Sequence, residues 1–272
     1  MYALLAAGIT VIYGLTQVVN FAQGEFLMLG GYLVLTVTEA HGGYVIAVIV
    51  AVVALGLAGV LTERTVFNGA EKRPLAGFIV SLGLVAVLQS IAVGAWSDNT
   101  RSIDTPVLGT VQLGDLIIAR QRLIVLVVGV VVVIALMVYL KWTRPGRALR
   151  SVAGDRMMSG ILGINTRAVV TRAFLIGTAT AGLAGALLVS VSPITPYIGG
   201  NFVFKGFAVA LIGGLGNVTG AVGAGFALGV IEAVLTSYVS GAWQDAYVFA
   251  IMILFLLVRP TGLLRGTAGA KL

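Results

Sequence analysis

Residues 123–140 read Leu-Ile-Val-Leu-Val-Val-Gly-Val-Val-Val-Val-Ile-Ala-Leu-Met-Val-Tyr-Leu, without one charged or hydrogen-bonding side chain except Tyr139. A run of about 20 mostly apolar residues is long enough to cross the hydrocarbon core of a bilayer as a helix. In lipid the backbone must satisfy its own hydrogen bonds, so a single span is a helix. The run is one of several. Others cover 3–19, 26–38, 44–61, 75–95, 173–191, 206–215, 218–239 and 247–258. The first two and 206–215 are short. Between 3–19 and 26–38 lies a polar interruption, Asn20-Phe21-Ala22-Gln23-Gly24-Glu25. The expected fold is all-α: a polytopic transmembrane helical bundle of about eight spans, with broken or re-entrant segments, forming one domain over 1–272.

Composition excludes the soluble alternative. Only 10% of residues are charged and the mean hydropathy is +1.07, whereas a soluble domain carries about 25% charged residues. The net charge of +7 sits in loops rather than on one face, which argues against nucleic acid. Cations fall at 62–74 (Arg64, Lys72, Arg73), at 141–172 (seven cations against Asp155 alone) and in the tail (Arg259, Arg265, Lys271). The positive-inside rule places these three in the cytoplasm and the charge-balanced loop 96–122 outside. No basic leader precedes the first run, so a cleavable signal peptide is not expected. There is no cysteine and one histidine, His41, which removes disulfides and thiolate sites and leaves no ligand set for a transition metal. His41 reads as an ordinary loop residue. No nucleophile–base pair points to an enzyme.

Small residues recur four apart at Gly177, Ala181 and Gly185, and again at Gly225, Gly229 and Ala233. Both stripes read as seams where helices approach closely. Segment 150–167 predicts a short cytoplasmic helix over 155–162. At about 100° per residue, Met157, Met158, Ile161 and Leu162 share one side, with Asp155, Arg156, Ser159 and Gly160 on the other. Gly163 supplies the stop. The apolar side meets either lipid headgroups or a protein partner, for which methionine is well suited.

Four stretches together resemble the branched-chain amino acid ABC transporter permeases, the LivH-type subunit in particular. They are 146–165 (Gly-Arg-Ala-Leu-Arg-Ser-Val-Ala-Gly-Asp-Arg-Met-Met-Ser-Gly-Ile-Leu-Gly-Ile-Asn), 19–30 (Val-Asn-Phe-Ala-Gln-Gly-Glu-Phe-Leu-Met-Leu-Gly), 213–221 (Gly-Gly-Leu-Gly-Asn-Val-Thr-Gly-Ala) and 259–264 (Arg-Pro-Thr-Gly-Leu-Leu). The resemblance covers essentially the whole chain. It departs from the family pattern in a late start, in Gly154 where an acid is usual and in Gln23 where histidine is usual. The solute it implies is a branched-chain amino acid or a similar small polar molecule, since urea and short-amide permeases are relatives.

The resemblance implies a permease subunit of an ATP-driven importer, multi-pass in a bacterial inner membrane. No Gly-x-x-x-x-Gly-Lys-Ser/Thr occurs, so ATP is the cofactor of two partner ATPase subunits and this chain binds none. Those subunits would dock on the coupling loop, about 141–172, through Asp155, Arg156, Met157, Met158, Ile161, Leu162 and Gly163. A LivM-like second permease subunit and an extracytoplasmic solute-binding protein complete the expected assembly. Asn20, Gln23, Glu25, Gly213, Gly214, Asn217 and Glu232 are the candidate pathway residues. A carboxyl at bilayer depth is costly and ordinarily faces a cavity or a partner, so Glu25 and Glu232 read either as pathway groups or as buried structural acids. Likewise 213–217 reads as a break lining the path or as a tight turn, and Lys205 as an interface anchor rather than a ligand group. The competing reading is an ion-coupled secondary transporter using Glu25 or Glu232.

Overall fold

The computed structural model describes residues 1–68, 74–104, 106–113, 116–238, 243–259 and 262–264. Lys72, Arg73, Asp115, Pro260, Thr261, Arg265 and Lys271 lie outside the described residues. Eleven helices are described: α1 Tyr2–Thr16, α2 Gln23–Glu39, α3 Tyr44–Thr65, α4 Pro74–Trp96, α5 Arg120–Trp142, α6 Arg144–Gly154, α7 Arg156–Ile161, α8 Thr166–Leu188, α9 Ile198–Gly213, α10 Val218–Tyr238 and α11 Gln244–Val258.

The fold is mostly helical rather than all-α. Strands β1 (Thr110–Leu113) and β2 (Leu116–Ala119) form an antiparallel hairpin, Thr110 opposite Ala119 and Leu113 opposite Leu116. The signal was present: two short runs containing Val111, Ile117 and Ile118 flank Gly114-Asp115, a two-residue hairpin pattern. The loop 96–122 is tied down separately. Arg101 and Ile194 exchange backbone hydrogen bonds of 2.9 and 2.8 Å.

α1 is apolar all round and, accordingly, buried nearly all round, from Ala3 to Thr16 with Tyr13 the exception. It packs against α8, α9 and α10, while α8 also receives α2 and α3. The outer helices α3, α4 and α5 turn large apolar side chains outward, among them Ile49, Leu57, Ile79, Ile91, Val127 and Ile134. In water such a surface would drive aggregation; against acyl chains it is the matched solvent. Five helices are long and apolar enough to cross a membrane: Tyr44–Thr65, Leu75–Trp96, Arg120–Trp142, Thr166–Leu188 and Val218–Tyr238. Tyr2–Thr16, Ile198–Gly213 and Asp245–Val258 are shorter apolar helices.

Two boundaries differ from the sequence expectation. The apolar run 206–215 is the second half of α9, which begins at Ile198. Gly199, Gly200, Asn201 and Lys205 dilute the hydropathy of a helix that is nevertheless buried at Gly199, Val203 and Lys205. The break expected at 20–25 lies at 17–22. Gln17 adopts the left-handed conformation, φ 54°, and Gln23, Gly24 and Glu25 already form the first turn of α2.

Candidate functional site

The α1–α2 break returns the chain to mid-depth. α1 ends beside the turn that follows α9, since Gly14 lies against Gly216. By Gln23 the chain is back at the level of Gly8, and the Gln23 amide donates to the carbonyl of Gly177, halfway along α8. α2 therefore starts inside the bundle. Asn20, Gln23 and Glu25 are all buried. Asn20 Oδ1 accepts from the Ala22 N–H at 3.0 Å. Glu25 Oε1 accepts from Gln89 Nε2 of α4 at 3.0 Å, and its carboxyl abuts Gly199 in the first turn of α9.

α4 reaches this region through three polar side chains. Ser81 Oγ donates to Val19 O at 3.4 Å and accepts from the Phe21 N–H at 3.3 Å. Gln89 holds Glu25. Trp96 Nε1 donates to Thr36 Oγ1 at 2.8 Å, with its ring stacked on Tyr32. Ser81 and Gln89 were not singled out from the sequence, although a serine and a glutamine inside the run 75–95 are the same kind of signal as Glu25.

Glu232 has a different environment. Lys205 Nζ of α9 lies 2.9 Å from Glu232 Oε1 of α10 and 2.7 Å from Asp245 Oδ1 of α11. Tyr2 OH of α1 donates to the same Glu232 oxygen at 2.9 Å. Four helices thus meet at one ammonium. Lys205, read from the sequence as an interface anchor, is instead buried in an ion pair inside the bundle, and its ties to Tyr2 and Asp245 were not legible there.

At the cation-rich end, α6, α7 and α8 follow one another through side-chain caps. Thr143 Oγ1 accepts from the Gly146 N–H, Asp155 Oδ1 from Met158 and Asn165 Oδ1 from Ala168, at 3.1, 3.0 and 3.0 Å. Each satisfies a backbone donor that the start of a helix leaves open. The expected helix 155–162 is thus Arg156–Ile161, with Asp155 as its N-cap and Leu162 as its C-cap. Gly163, at φ 81°, ends it, and the Ile164 N–H closes back on Ser159 O. Ser159 lies on the polar side of the helical projection. It is instead buried, sharing a 2.9 Å hydrogen bond with Ser151 of α6. That bond turns the apolar side of α7 outward: Met157, Met158, Ile161 and Leu162 are 77, 57, 74 and 78% exposed.

Residues 213–217 form a tight turn between α9 and α10. Gly214 and Gly216 have φ of 99° and 88°, conformations that glycine adopts without steric cost. Asn217 caps α10, its Oδ1 accepting from the Gly220 N–H at 3.1 Å. The Leu263 N–H donates to Ile212 O at 2.7 Å, so residues 262–264 lie against the C-terminal end of α9. A gap of about 50 Å³ between Thr10, Leu149, Ala153 and Gly216 places α6 next to this turn. Three of the four stretches that carry the family resemblance therefore meet at one end of the bundle. Replacing Asn217 with Ala is expected to cost about 0.5–2 kcal/mol as a lost cap, with Asn217→Ser keeping most of it. The thermal midpoint by fluorescence-detected size exclusion measures both, and equal losses would reject the capping role.

The family model for "Branched-chain amino acid transport system / permease component" matches residues 1–256. Curated relatives named high-affinity branched-chain amino acid transport system permease protein LivH are 33% identical in Escherichia coli K12 and 32% in Salmonella typhimurium, covering 97% of this chain and 91% of theirs. The permease protein BraD of Pseudomonas aeruginosa is 31% identical over the same shares. No solved structure matches. With outward-facing apolar helices, a buried polar break and a match over almost its full length, the chain is a multi-pass membrane protein and belongs to the permease-component family of branched-chain amino acid transport systems.

Proposed function

We propose that this chain is one permease subunit of an ATP-driven importer in a bacterial inner membrane, carrying branched-chain amino acids or a similar small polar solute. In this reading it is a single domain crossing the membrane about eight times. The five long helices supply most of the crossings, and α1, α9 and α11 supply shorter ones. A second, LivM-like permease subunit completes the path, two cytoplasmic ATPase subunits supply the energy, and an extracytoplasmic binding protein delivers the solute.

The outward apolar side of α7 carries the proposal. Four large apolar side chains are held outward on a short helix capped at Asp155 and closed after Gly163. A free-standing helix of this length would not persist in water. Fixed in this way, it offers a preformed surface to a partner. Docked ATPase subunits would move α6 and α7 as a unit against the 213–217 turn, a rigid-body shift. Gly213, Gly214 and Asn217 then belong to the transmission, Asn20, Gln23 and Glu25 to the pathway, and Glu232 to the anchor beside it. An ion-coupled transporter has no use for the α7 surface.

Affinity purification in mild detergent tests this directly. The unchanged chain is expected to bring down an ATPase subunit, and the double variant Met158→Asp/Leu162→Asp to lose it while eluting as a folded protein. Retention of the ATPase by that variant would reject α7 as the docking helix.

A further inference from the structure

The small-residue stripe of α10 seats a neighbour at only one of its glycines. Gly225 lies against the Ala3 backbone of α1, whereas a Cβ on Gly229 would meet nothing within 4 Å. Across from it on α5, a Cβ on Gly129 would meet only the tip of Leu4, at 4.0 Å. Glycine weakens a helix by about 1 kcal/mol relative to alanine, and at these two positions no close helix contact offsets that. They leave instead a groove of about 390 Å³ between α1, α5 and α10.

Among the described residues that line it, only Arg122 and Tyr2 carry a hydrogen-bonding side chain. The Tyr2 hydroxyl is engaged by Glu232 and Lys205. Arg122 is exposed and makes no hydrogen bond or ion pair among the described residues. It directly precedes the apolar run 123–140, which at 1.5 Å per residue is about 27 Å long, close to the ~30 Å of a bilayer's hydrocarbon core. The guanidinium therefore sits at the level of the lipid phosphates. From there the groove runs inward along α5 to Val133, a rise of about 16 Å, which is the depth of one leaflet.

These dimensions decide what can fill it. The volume over that length gives a section of about 24 Å², roughly 5–6 Å across. Carbon atoms in contact sit about 3.5–4.0 Å apart, so one hydrocarbon chain fits and two do not. A helix about 10 Å wide would displace on the order of 1,200 Å³ over the same length, and a spanning one would continue past Val133 to the other face. Leu126 and Val230, on opposite lips of the groove, are 54 and 64% exposed, so it opens sideways to lipid.

We propose that this groove is a phospholipid site, in which one acyl chain lies between α5 and α10 and the phosphate pairs with Arg122. Arg120, also exposed, stands two residues back, and this second cation favours a net anionic lipid over one whose headgroup carries its own ammonium. With the cation-rich end of the bundle in the cytoplasm, the site belongs to the outer leaflet. The acyl chain covers Tyr2, which ties α1 to Glu232 and Lys205, so a lipid held here braces the joint of α1, α9 and α10.

For the test, the protein is purified in mild detergent with the subunits that accompany it, phosphatidylglycerol is added, and native mass spectrometry counts the phospholipids retained. Gly229→Leu, which plugs the groove, is expected to retain one phospholipid fewer per copy of the chain. Arg122→Gln, at an exposed position that folding does not depend on, is expected to need at least fivefold more phosphatidylglycerol for the same occupancy. The lipid is expected to raise the parent's thermal midpoint by about 3 °C, as a ligand of the folded state does, and to leave that of Gly229→Leu unchanged. An unchanged phospholipid count in Gly229→Leu would overturn the site, and an unchanged requirement in Arg122→Gln would overturn the phosphate contact. A parent that retains no phospholipid, while Gly229→Leu sheds an accompanying subunit, would overturn the lipid in favour of a partner helix.

Discussion

Replacing Lys205 with Met is expected to destabilise the bundle by about 3–5 kcal/mol, the cost of removing one partner of a buried ion pair. The side chains of Lys205 and Glu232 are each only 9% exposed, whereas that of Asp245 is 61% exposed. Asp245 can therefore turn to water once the ammonium is gone, whereas Glu232 loses its close charge contact in a buried position. Tyr2 OH still donates to Glu232, but a neutral hydroxyl does not replace the charge of the lost ammonium. The double variant Lys205→Met/Glu232→Gln removes both charges, keeps an acceptor for Tyr2, and is expected to recover most of the loss. The midpoint of thermal aggregation in detergent reads both variants. A Lys205→Met protein as stable as the parent would show that the pair does not hold α9 to α10, and a double variant no better than the single would place the loss in packing instead.

This cluster shows what a linear reading reaches. Glu232 stood out because an acid inside an apolar run demands an explanation. Its partner Lys205 was visible too, but nothing in the spacing of 205 and 232 says that the two side chains touch, and Asp245 and Tyr2 sit near the ends of runs where polar groups need no special reason. The pairing depends on how α1, α9, α10 and α11 are arranged around one another, which the chain encodes only through packing.

The break between α1 and α2 was legible as chemistry and displaced in geometry. Polar residues at 20–25 marked it, yet those at 23–25 are helical, because the α2 first turn is held inside the bundle by Gln23 on Gly177 and by Glu25 on Gln89. Ser159 failed for a related reason. An amphipathic projection sorts residues by polarity and assumes that the polar side faces water. Here a second polar residue on the neighbouring helix, Ser151, gave Ser159 a buried partner, and the apolar side was left outside. The short span at α9 was missed at its start because two glycines and an asparagine look like a loop when hydropathy alone is summed.

Gly185→Val is expected to abolish the folded protein, whereas Gly229→Val leaves it intact. The two glycines are equivalent in sequence, each belonging to a stripe of small residues four apart. They differ in what lies opposite. A Cβ on Gly185 would be forced into the Leu27 carbonyl and the Gly31 nitrogen, both backbone atoms of α2. Backbone cannot rotate aside as a side chain can, so α2 and α8 would have to separate along the seam that positions Gln23 on Gly177. Overpacking ordinarily costs about 1–3 kcal/mol, and a contact with backbone on both sides belongs at or beyond the top of that range. A Cβ on Gly229 meets nothing within 4 Å, because that part of α10 faces a groove of about 390 Å³ shared with α1 and α5. Valine there also removes a helix-weakening glycine. Yield and elution profile of the two variants, expressed side by side, decide the matter. A well-folded Gly185→Val protein would mean that α2 and α8 do not approach as closely as described, and the mid-depth start of α2 would lose its support.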